Sequence, residues 1–510
     1  MSWPKTASFA GGPRYGSGME EFDFDCYQAL IARDARFDGR FFVGVKTTGI
    51  YCRPVCATRP PRAASCVFFA TAAAAEKAGF RPCLRCRPEL APGGNSGPPL
   101  AQALFSAIRG RVAFGDSVDQ IADLTGYSSR QLRRLTMQFF GVTPVQILQT
   151  ERLLFAKKLI QETGLPMADV ALAAGFGSLR RFNALFRLRY RISPTEMRRP
   201  VTREASANGS ELCLRLAYRP PLAWKEMLAF QARRAAPGVE WISPDRGAYA
   251  RTVSLGARRG WVTVSLSERG DMLEVRTPAA FADALWTLLA RLRALFDLDA
   301  NPASIDAHLG ADPLLAESVR AHPGLRVPGA WDAFELAVRA VLGQQVSVAG
   351  ATTLAGRLAA RFGEEISTPL EALNRLSPTA SAVADASLED IAGIGLPKAR
   401  AQTIRDLAAS AVRGELEFRP AIGMDEAASA LQRVRGIGEW TAQYVAMRAL
   451  RHPDAFPSAD LGLRKALAPA GKTLASARDV AARSARWRPW RAYAALHLWQ
   501  SLEKKKHSPL

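Results

Sequence analysis

Cysteine is scarce in this 510-residue chain: seven in all, six of them within the first 90 residues. So few thiols, so unevenly placed, exclude a disulfide-stapled framework and point to metal or thiol chemistry near one end. Long apolar runs are missing as well. No stretch of about 18 apolar residues occurs, which excludes a membrane-spanning helix. Met1–Gly18 is Gly-rich and polar, unlike a secretory signal. The chain is therefore expected in the cytoplasm. Acidic residues are in deficit, 47 against 68 Lys and Arg, giving a net charge of +21 and a pI near 10.2. Such a field attracts polyanions and speeds encounter with them. What is present suffices for several packed cores: 48% of residues are hydrophobic, and the length suggests three or four domains.

Residues 1–20 read as a flexible leader. The segment 21–90 holds Cys52-x3-Cys56, then 26 residues, then Cys83-x2-Cys86. Two such pairs supply four thiolates to a tetrahedral zinc. On spacing alone, a closed site that merely staples a small domain is the favoured reading. Cys26 and Cys66 fall outside the pattern and read as small buried residues. The flanking letters, FFVGVKTTGIYCRPVCATRPPR and AGFRPCLRCRPE, resemble the amino-terminal zinc domain of the Ada family. That resemblance implies one Zn2+ on Cys52, Cys56, Cys83 and Cys86. It also implies that Cys52 takes a methyl group from a methyl phosphotriester in DNA, once per protein. Arg53, with Arg59, Arg62, Arg81, Arg85 and Arg87, is a candidate cradle for the DNA backbone.

Arg87–Leu100 reads as a Pro/Gly linker. Residues 101–199 then contain two similar units, Ser117–Gly126 leading into Ser128–Phe140, and Met167–Gly175 leading into Ser178–Tyr190. Each is a short helix, a glycine turn and a Ser-capped basic helix, the spacing of a helix-turn-helix. Together they resemble the AraC-type DNA-binding domain. Arg130, Gln131 and Arg134 in the first basic helix, and Arg180, Arg181 and Asn183 in the second, have the chemistry to read guanine or adenine edges. Pro200–Ser210 reads as a second linker.

From Glu211 to about Pro278 apolar and polar residues alternate, predicting a small antiparallel sheet with a helix near Trp224–Ala235. From Phe281 the pattern is helical, over 281–296, 330–342, 348–362, 398–413, 425–434, 439–450 and 490–503. Lys504–His507 reads as a disordered tail. The stretch Val434–Leu463, VRGIGEWTAQYVAMRALRHPDAFPSADLGL, stands out. Gly436 and Gly438 open a helix whose first N–H groups lack helical partners and suit a phosphate. Asp460 follows 22 residues after Gly438, either as a helix cap or as a carboxylate facing a reactive base. Ala392–Gly395 has a related shape and reads as a packing turn.

This stretch, with LAYRPPLAW, PGLRVPGAWDAFELAVRAVLGQQVS and RWRPWRAYAALHLW, resembles the helix–hairpin–helix glycosylases of the 3-methyladenine DNA glycosylase II type over roughly 211–499. The resemblance implies that Asp460 is the catalytic carboxylate, stabilising a cationic sugar or activating water, and that Trp440, Tyr444 and Trp499 line a base pocket. Gly436, Gly438 and Thr441 would hold the DNA backbone, with a monovalent cation at the hairpin. Trp440 stands where bifunctional relatives carry lysine, so no strand cleavage is expected. Gln345 occupies the place of an apolar wedge. A flipped purine alkylated at N3 or N7 already carries positive charge, so aromatic faces attract it and its departure needs no acid.

The resulting expectation is a multidomain α+β protein. It comprises a small four-cysteine zinc domain (21–90), an all-α tandem helix-turn-helix domain (101–199), a small antiparallel β-sheet domain (211–290) and an all-α helix–hairpin–helix glycosylase domain (291–503). It would excise alkylated purines, accept methyl groups and activate transcription as a monomer associated with the nucleoid, with double-stranded DNA and RNA polymerase as partners and no membrane. No Pro-Cys-His-Arg box occurs, so O6-methylguanine repair is not expected. The rival reading is a transcription regulator whose glycosylase-like half only binds DNA.

Overall fold

The structure is a computed structural model and describes residues 18–93, 98–112, 116–198, 210–416, 424–468 and 474–507. Most of the expected leader and most of the second linker lie outside these residues; Gly18 already begins a helix, Gly18–Ile31. Two compact units emerge, Met1–Arg219 with Arg269–Ala290, and Pro220–Glu268 with Arg291–Leu510. The segment 211–290, expected as one domain, is thus divided between them.

In the first unit, strands Cys66–Phe69, Phe42–Val45, Ile50–Cys52 and Arg81–Pro82 form a sheet in that order. Phe42–Val45 runs antiparallel to both neighbours, whereas Arg81–Pro82 lies parallel to Ile50–Cys52, with Tyr51 opposite Pro82. The parallel pairing ends both strands at the same edge, so Cys52 and the Cys83 that follows Pro82 emerge together.

The helices behind this sheet start as their sequences dictate. Ser117 with Gln120, Ser128 with Gln131, and Thr143 with Gln146 form reciprocal caps for Val118–Thr125, Ser129–Phe140 and Pro144–Glu162. Gly126 and Gly141 end the first two at φ +71° and +68°, where glycine is unstrained. Met167–Ala173 and Leu179–Tyr190 repeat the arrangement, with Phe182, Phe186 and Tyr190 packed edge to face. The long helix Pro144–Glu162 joins the two halves.

Arg87–Leu90 departs from the linker expected there. Arg87 pairs with Glu89 and Glu162, and buried Glu89 pairs with Lys157, so this stretch is fastened to the long helix. The strand Glu211–Ala217 pairs antiparallel with Met272–Pro278 in the alternation the sequence carries.

The second unit begins with helix Trp224–Ala232 and a three-stranded antiparallel meander, Glu240–Ser243, Ala248–Leu255 and Arg258–Leu266. The helices that follow include Ala333–Leu342, Val348–Phe362, Lys398–Val412, Met424–Gln432, Glu439–Arg448 and Arg491–His507. The last carries its backbone through His507, where the sequence suggested disorder. Among the described residues, six shorter helices escape the sequence pattern, including Pro302–Leu309, Pro313–Ala321 and Leu461–Ala466. Their apolar residues are few, and burial of Ile305, Leu309, Leu315 and Leu463 in one shared cluster holds these three. Ala392–Gly395 behaves as a packing turn: Ile394 is buried and its carbonyl accepts from Arg357 at 3.1 Å. Among the described residues two hydrophobic clusters pack this unit, and Tyr444 lies against both.

Candidate functional site

The helix pair Met424–Gln432 and Glu439–Arg448 is joined by the turn that holds both glycines. Gly436 sits at φ +91°, and a Cβ there would lie 2.1 Å from Thr403 Oγ1, so backbone angle and packing both demand glycine. Gly438 is the N-cap of the second helix, receives no side-chain cap, and faces open space. The helix thus presents bare backbone N–H groups at an exposed surface, as a phosphate contact needs. Thr441 is buried behind them, and its Oγ1 lies 3.1 Å from Gln344 Nε2, which also donates to the Gly436 carbonyl at 3.0 Å. The loop carrying Gln345 is in this way tied to the hairpin. Gln345 itself is exposed and held at φ +57°, a strained angle for a non-glycine residue.

Of the two sequence readings of Asp460, the helix cap is seen directly. Asp460 caps Leu461–Ala466, with the Leu463 N–H donating to Oδ1 at 3.0 Å. It is also held by two indoles, Trp499 Nε1 to Oδ1 at 2.9 Å and Trp440 Nε1 to Oδ2 at 3.1 Å. Oδ1 therefore has two donors and Oδ2 one, which leaves a lone pair of Oδ2 uncommitted. Trp440 stacks on Tyr444, ring centroids 5.3 Å apart and planes within 10°. Trp499 lies over Phe230 at 6.5 Å. The three aromatic residues named from sequence and the carboxylate are thus one cluster, all four partly exposed.

Phe230, Arg234 and Arg448 also belong to this cluster and were missed. Arg448 Nη1 donates to the Tyr444 hydroxyl at 2.7 Å, and its other nitrogens hold the Pro328 and Gly329 carbonyls. Its guanidinium lies 5.0 Å from the Phe230 ring, and that of Arg234 lies 3.7 Å from the same ring. Burial raises the Tyr444 phenol, but Arg448, Arg234 and Arg339 outweigh it and leave it below its usual value. Burial brings Arg234 down to about 10, so it stays charged at neutral pH. The four-residue spacing of Trp440, Tyr444 and Arg448, and of Phe230 and Arg234, was the available signal.

In the first unit Cys52, Cys56, Cys83 and Cys86 place their sulfurs within 4.8 Å of one another, a donor set that fits tetrahedral zinc. The thiols are not equivalent. The Arg53 N–H donates to Cys86 Sγ at 3.3 Å, and Cys56 Sγ lies 3.1 Å from Thr58 Oγ1. Among the described residues no such hydrogen bond reaches Cys52 Sγ. Arg53 corrects the sequence reading. Its side chain turns inward to pair with Asp38, its Nε 2.8 Å from Oδ1, and to hold the Cys86 carbonyl, so it positions the cysteine loops and is not free to cradle DNA. Arg87 is likewise spent in its buried ion pairs, whereas Arg59 and Arg85 lie closer to the surface. Glu76, buried beneath the sheet, accepts from Tyr51 and Thr150, and burial pushes it up to about 7.

On the reader helices Arg130, Arg134, Arg180 and Arg181 are exposed and Asn183 half-exposed. Gln131 differs from expectation: its Oε1 accepts from the Ser128 N–H at 2.9 Å as part of the helix cap. Its carbonyl is therefore unavailable for an adenine edge. No helix among the described residues is long and apolar enough to cross a membrane.

Comparisons with known proteins agree with this geometry. Family models match in succession: the metal-binding domain of Ada at 25–89, a helix-turn-helix domain at 121–200, the AlkA N-terminal domain at 213–332, and the HhH-GPD superfamily of base excision DNA repair proteins at 338–492. A probable bifunctional transcriptional activator/DNA repair enzyme AlkA from Mycobacterium tuberculosis is 42% identical over 489 residues, covering 94% of this chain and 97% of its own. DNA-3-methyladenine glycosylase 2 of Escherichia coli is 36% identical over 56% of this chain and 95% of its own. The solved 3-methyladenine DNA-glycosylase from Archaeoglobus fulgidus shares the fold, with TM-score 0.50 and 24% identity over 58% of this chain and 99% of its own. The glycosylase match and the reader match make the chain a DNA-binding base-excision enzyme, and its four-cysteine cluster a zinc site. The chain belongs to the family of bifunctional AlkA-type DNA glycosylases that carry an Ada-type zinc domain and an AraC-type activator domain.

Proposed function

We propose that Asp460 is the catalytic carboxylate of an alkylpurine glycosylase whose pocket is lined by Trp440, Tyr444 and Trp499. The observation that carries this reading is the pair of indole N–H groups fixing both oxygens of Asp460 beside a stacked Trp–Tyr wall. As the glycosidic bond breaks, both electrons leave with the base, and positive charge grows on the sugar. A fixed carboxylate opposite that charge lowers the barrier by several kcal/mol. Oδ2, with one donor, is the oxygen we assign to face the sugar or its attacking water. Water then supplies hydroxyl to C1′ and gives up its proton to solvent, because the cationic base leaves neutral. Gly436, Gly438 and Thr441 hold the backbone, with a monovalent cation at the hairpin, and Gln345 fills the space the flipped base vacates. Trp440 offers no amine, so the product is an intact abasic site.

At the other end, Cys52 accepts the methyl group. Zinc, when bound, supplies the positive charge that keeps the four sulfurs deprotonated. Hydrogen bonding at Cys86 and Cys56 draws electron density from those sulfurs and leaves Cys52 the better nucleophile. Its sulfur bonds to the methyl carbon, the C–O bond breaks, and the electron pair returns to the phosphate oxygen. The modified protein, reading DNA through Arg130, Arg134, Arg180, Arg181 and Asn183, then activates transcription with RNA polymerase as a monomer on the nucleoid.

Mass spectrometry of the protein after incubation with methylated DNA, run beside a base-release assay, tests both halves. One methyl group on Cys52 and free alkylpurine are expected. An unmodified Cys52 contradicts the acceptor reading, and absence of released base supports the regulator that only binds DNA.

A further inference from the structure

The pocket wall behind Tyr444 is unusual for a site that takes cationic bases. Arg448 and Arg234 both face it, and among the described residues neither makes an ion pair with a carboxylate. Arg448 is buried against two backbone carbonyls and the Tyr444 hydroxyl, with three of its five N–H groups so engaged. Arg234 donates to the Phe230 carbonyl at 3.2 Å and covers the Phe230 ring. Two guanidiniums without counterions oppose a base that arrives positively charged. They favour one that leaves with negative charge, which is what an uncharged base does when it takes the bonding pair without prior protonation. Tyr444 carries this influence into the pocket: its oxygen accepts from Arg448, and its own O–H proton is left to donate.

We propose that Arg448 and Arg234, acting through the Tyr444 hydroxyl, are specificity-determining residues that raise excision of uncharged damaged bases relative to cationic ones. For an uncharged base the C1′–N bond breaks with both electrons going to the ring nitrogen. The Tyr444 O–H and the guanidiniums stabilise the resulting anion. Water delivers hydroxyl to C1′ and, in net balance, a proton to the departed base. The arginines are positioning and charge residues; Tyr444 is the group that meets the base. This inference rests on the pocket proposed above.

The test compares single-turnover release from two duplexes, one containing hypoxanthine and one containing 7-methylguanine, using the full-length zinc-loaded protein. Arg234→Gln, at a half-exposed position, and Tyr444→Phe, which keeps the ring, are set beside wild type. Both are expected to lower the ratio of hypoxanthine to 7-methylguanine release about ten-fold, chiefly through loss on hypoxanthine. Arg448→Met should lower the same ratio. A ratio unchanged in both variants, or equal losses on both substrates, overturns the inference while the glycosylase reading stands. If wild type releases neither base, the pocket reading falls and takes this inference with it.

Discussion

Gly436→Ala is the substitution whose consequence follows most directly from the fold. Two costs add. At φ +91° an L-residue is strained by about 1–2 kcal/mol. The new Cβ would also stand 2.1 Å from Thr403 Oγ1 and 3.0 Å from its Cγ2, so the turn or the Lys398–Val412 helix must yield. We take the two together as roughly 2–4 kcal/mol, in the range of overpacking and strain penalties. If the hairpin is the backbone anchor, DNA affinity falls about ten- to a hundred-fold. The lesion is not involved, so undamaged duplex should show the same loss by fluorescence anisotropy. Thr403→Ala removes the two closest atoms but not the backbone strain. Gly436→Ala with Thr403→Ala should therefore regain only part of the affinity, and Thr403→Ala alone should bind like wild type. Wild-type affinity in Gly436→Ala would refute the hairpin's role. Full recovery in the double variant would refute the strain component.

Other expectations follow from the same structure. Wild-type protein should leave intact abasic sites and give no borohydride-trapped adduct, since Trp440 stands after the hairpin; a trapped complex would contradict this. Methylation of Cys52 removes about one negative charge from the zinc site and should tighten promoter binding at least about ten-fold. That gain should shrink as salt is added, because exposed charges are screened; equal affinities would mean that the domain repairs DNA without signalling. Glu76 has its folded-state pKa raised to about 7 from 4.5, so its contribution is fully present below the unfolded value and is lost as pH rises through about 7. Wild type should lose up to about 3 kcal/mol in the first unit over that window, and Glu76→Gln should flatten the dependence in pH-resolved thermal melts. A pH profile identical in the two proteins would argue against the buried charge.

The cysteine spacing, the two capped helix pairs and the Gly-x-Gly turn could be read from sequence because each is a local pattern with a local physical cause. Charge partners could not. Nothing beside Arg53 in the sequence says that it turns toward Asp38, fifteen residues earlier, or that Gln131 spends its carbonyl on its own cap. Asp460 looked like either a cap or a catalytic group; the fold shows the cap, and it adds what sequence could not, that Trp440 and Trp499, from helices on either side of it in the chain, converge on its oxygens. Arg448 was half-legible, one helical turn beyond Tyr444. That its guanidinium donates to the carbonyls of Pro328 and Gly329, more than a hundred residues away, was not legible.

The central claim is that the Asp460 carboxylate, held by two indoles, drives glycosidic cleavage. The measurement that tests it most directly is single-turnover release of 3-methyladenine by Asp460→Asn, with duplex binding measured in the same preparation. Release should fall at least about a hundred-fold while binding is retained. Near wild-type release by Asp460→Asn would contradict the assignment.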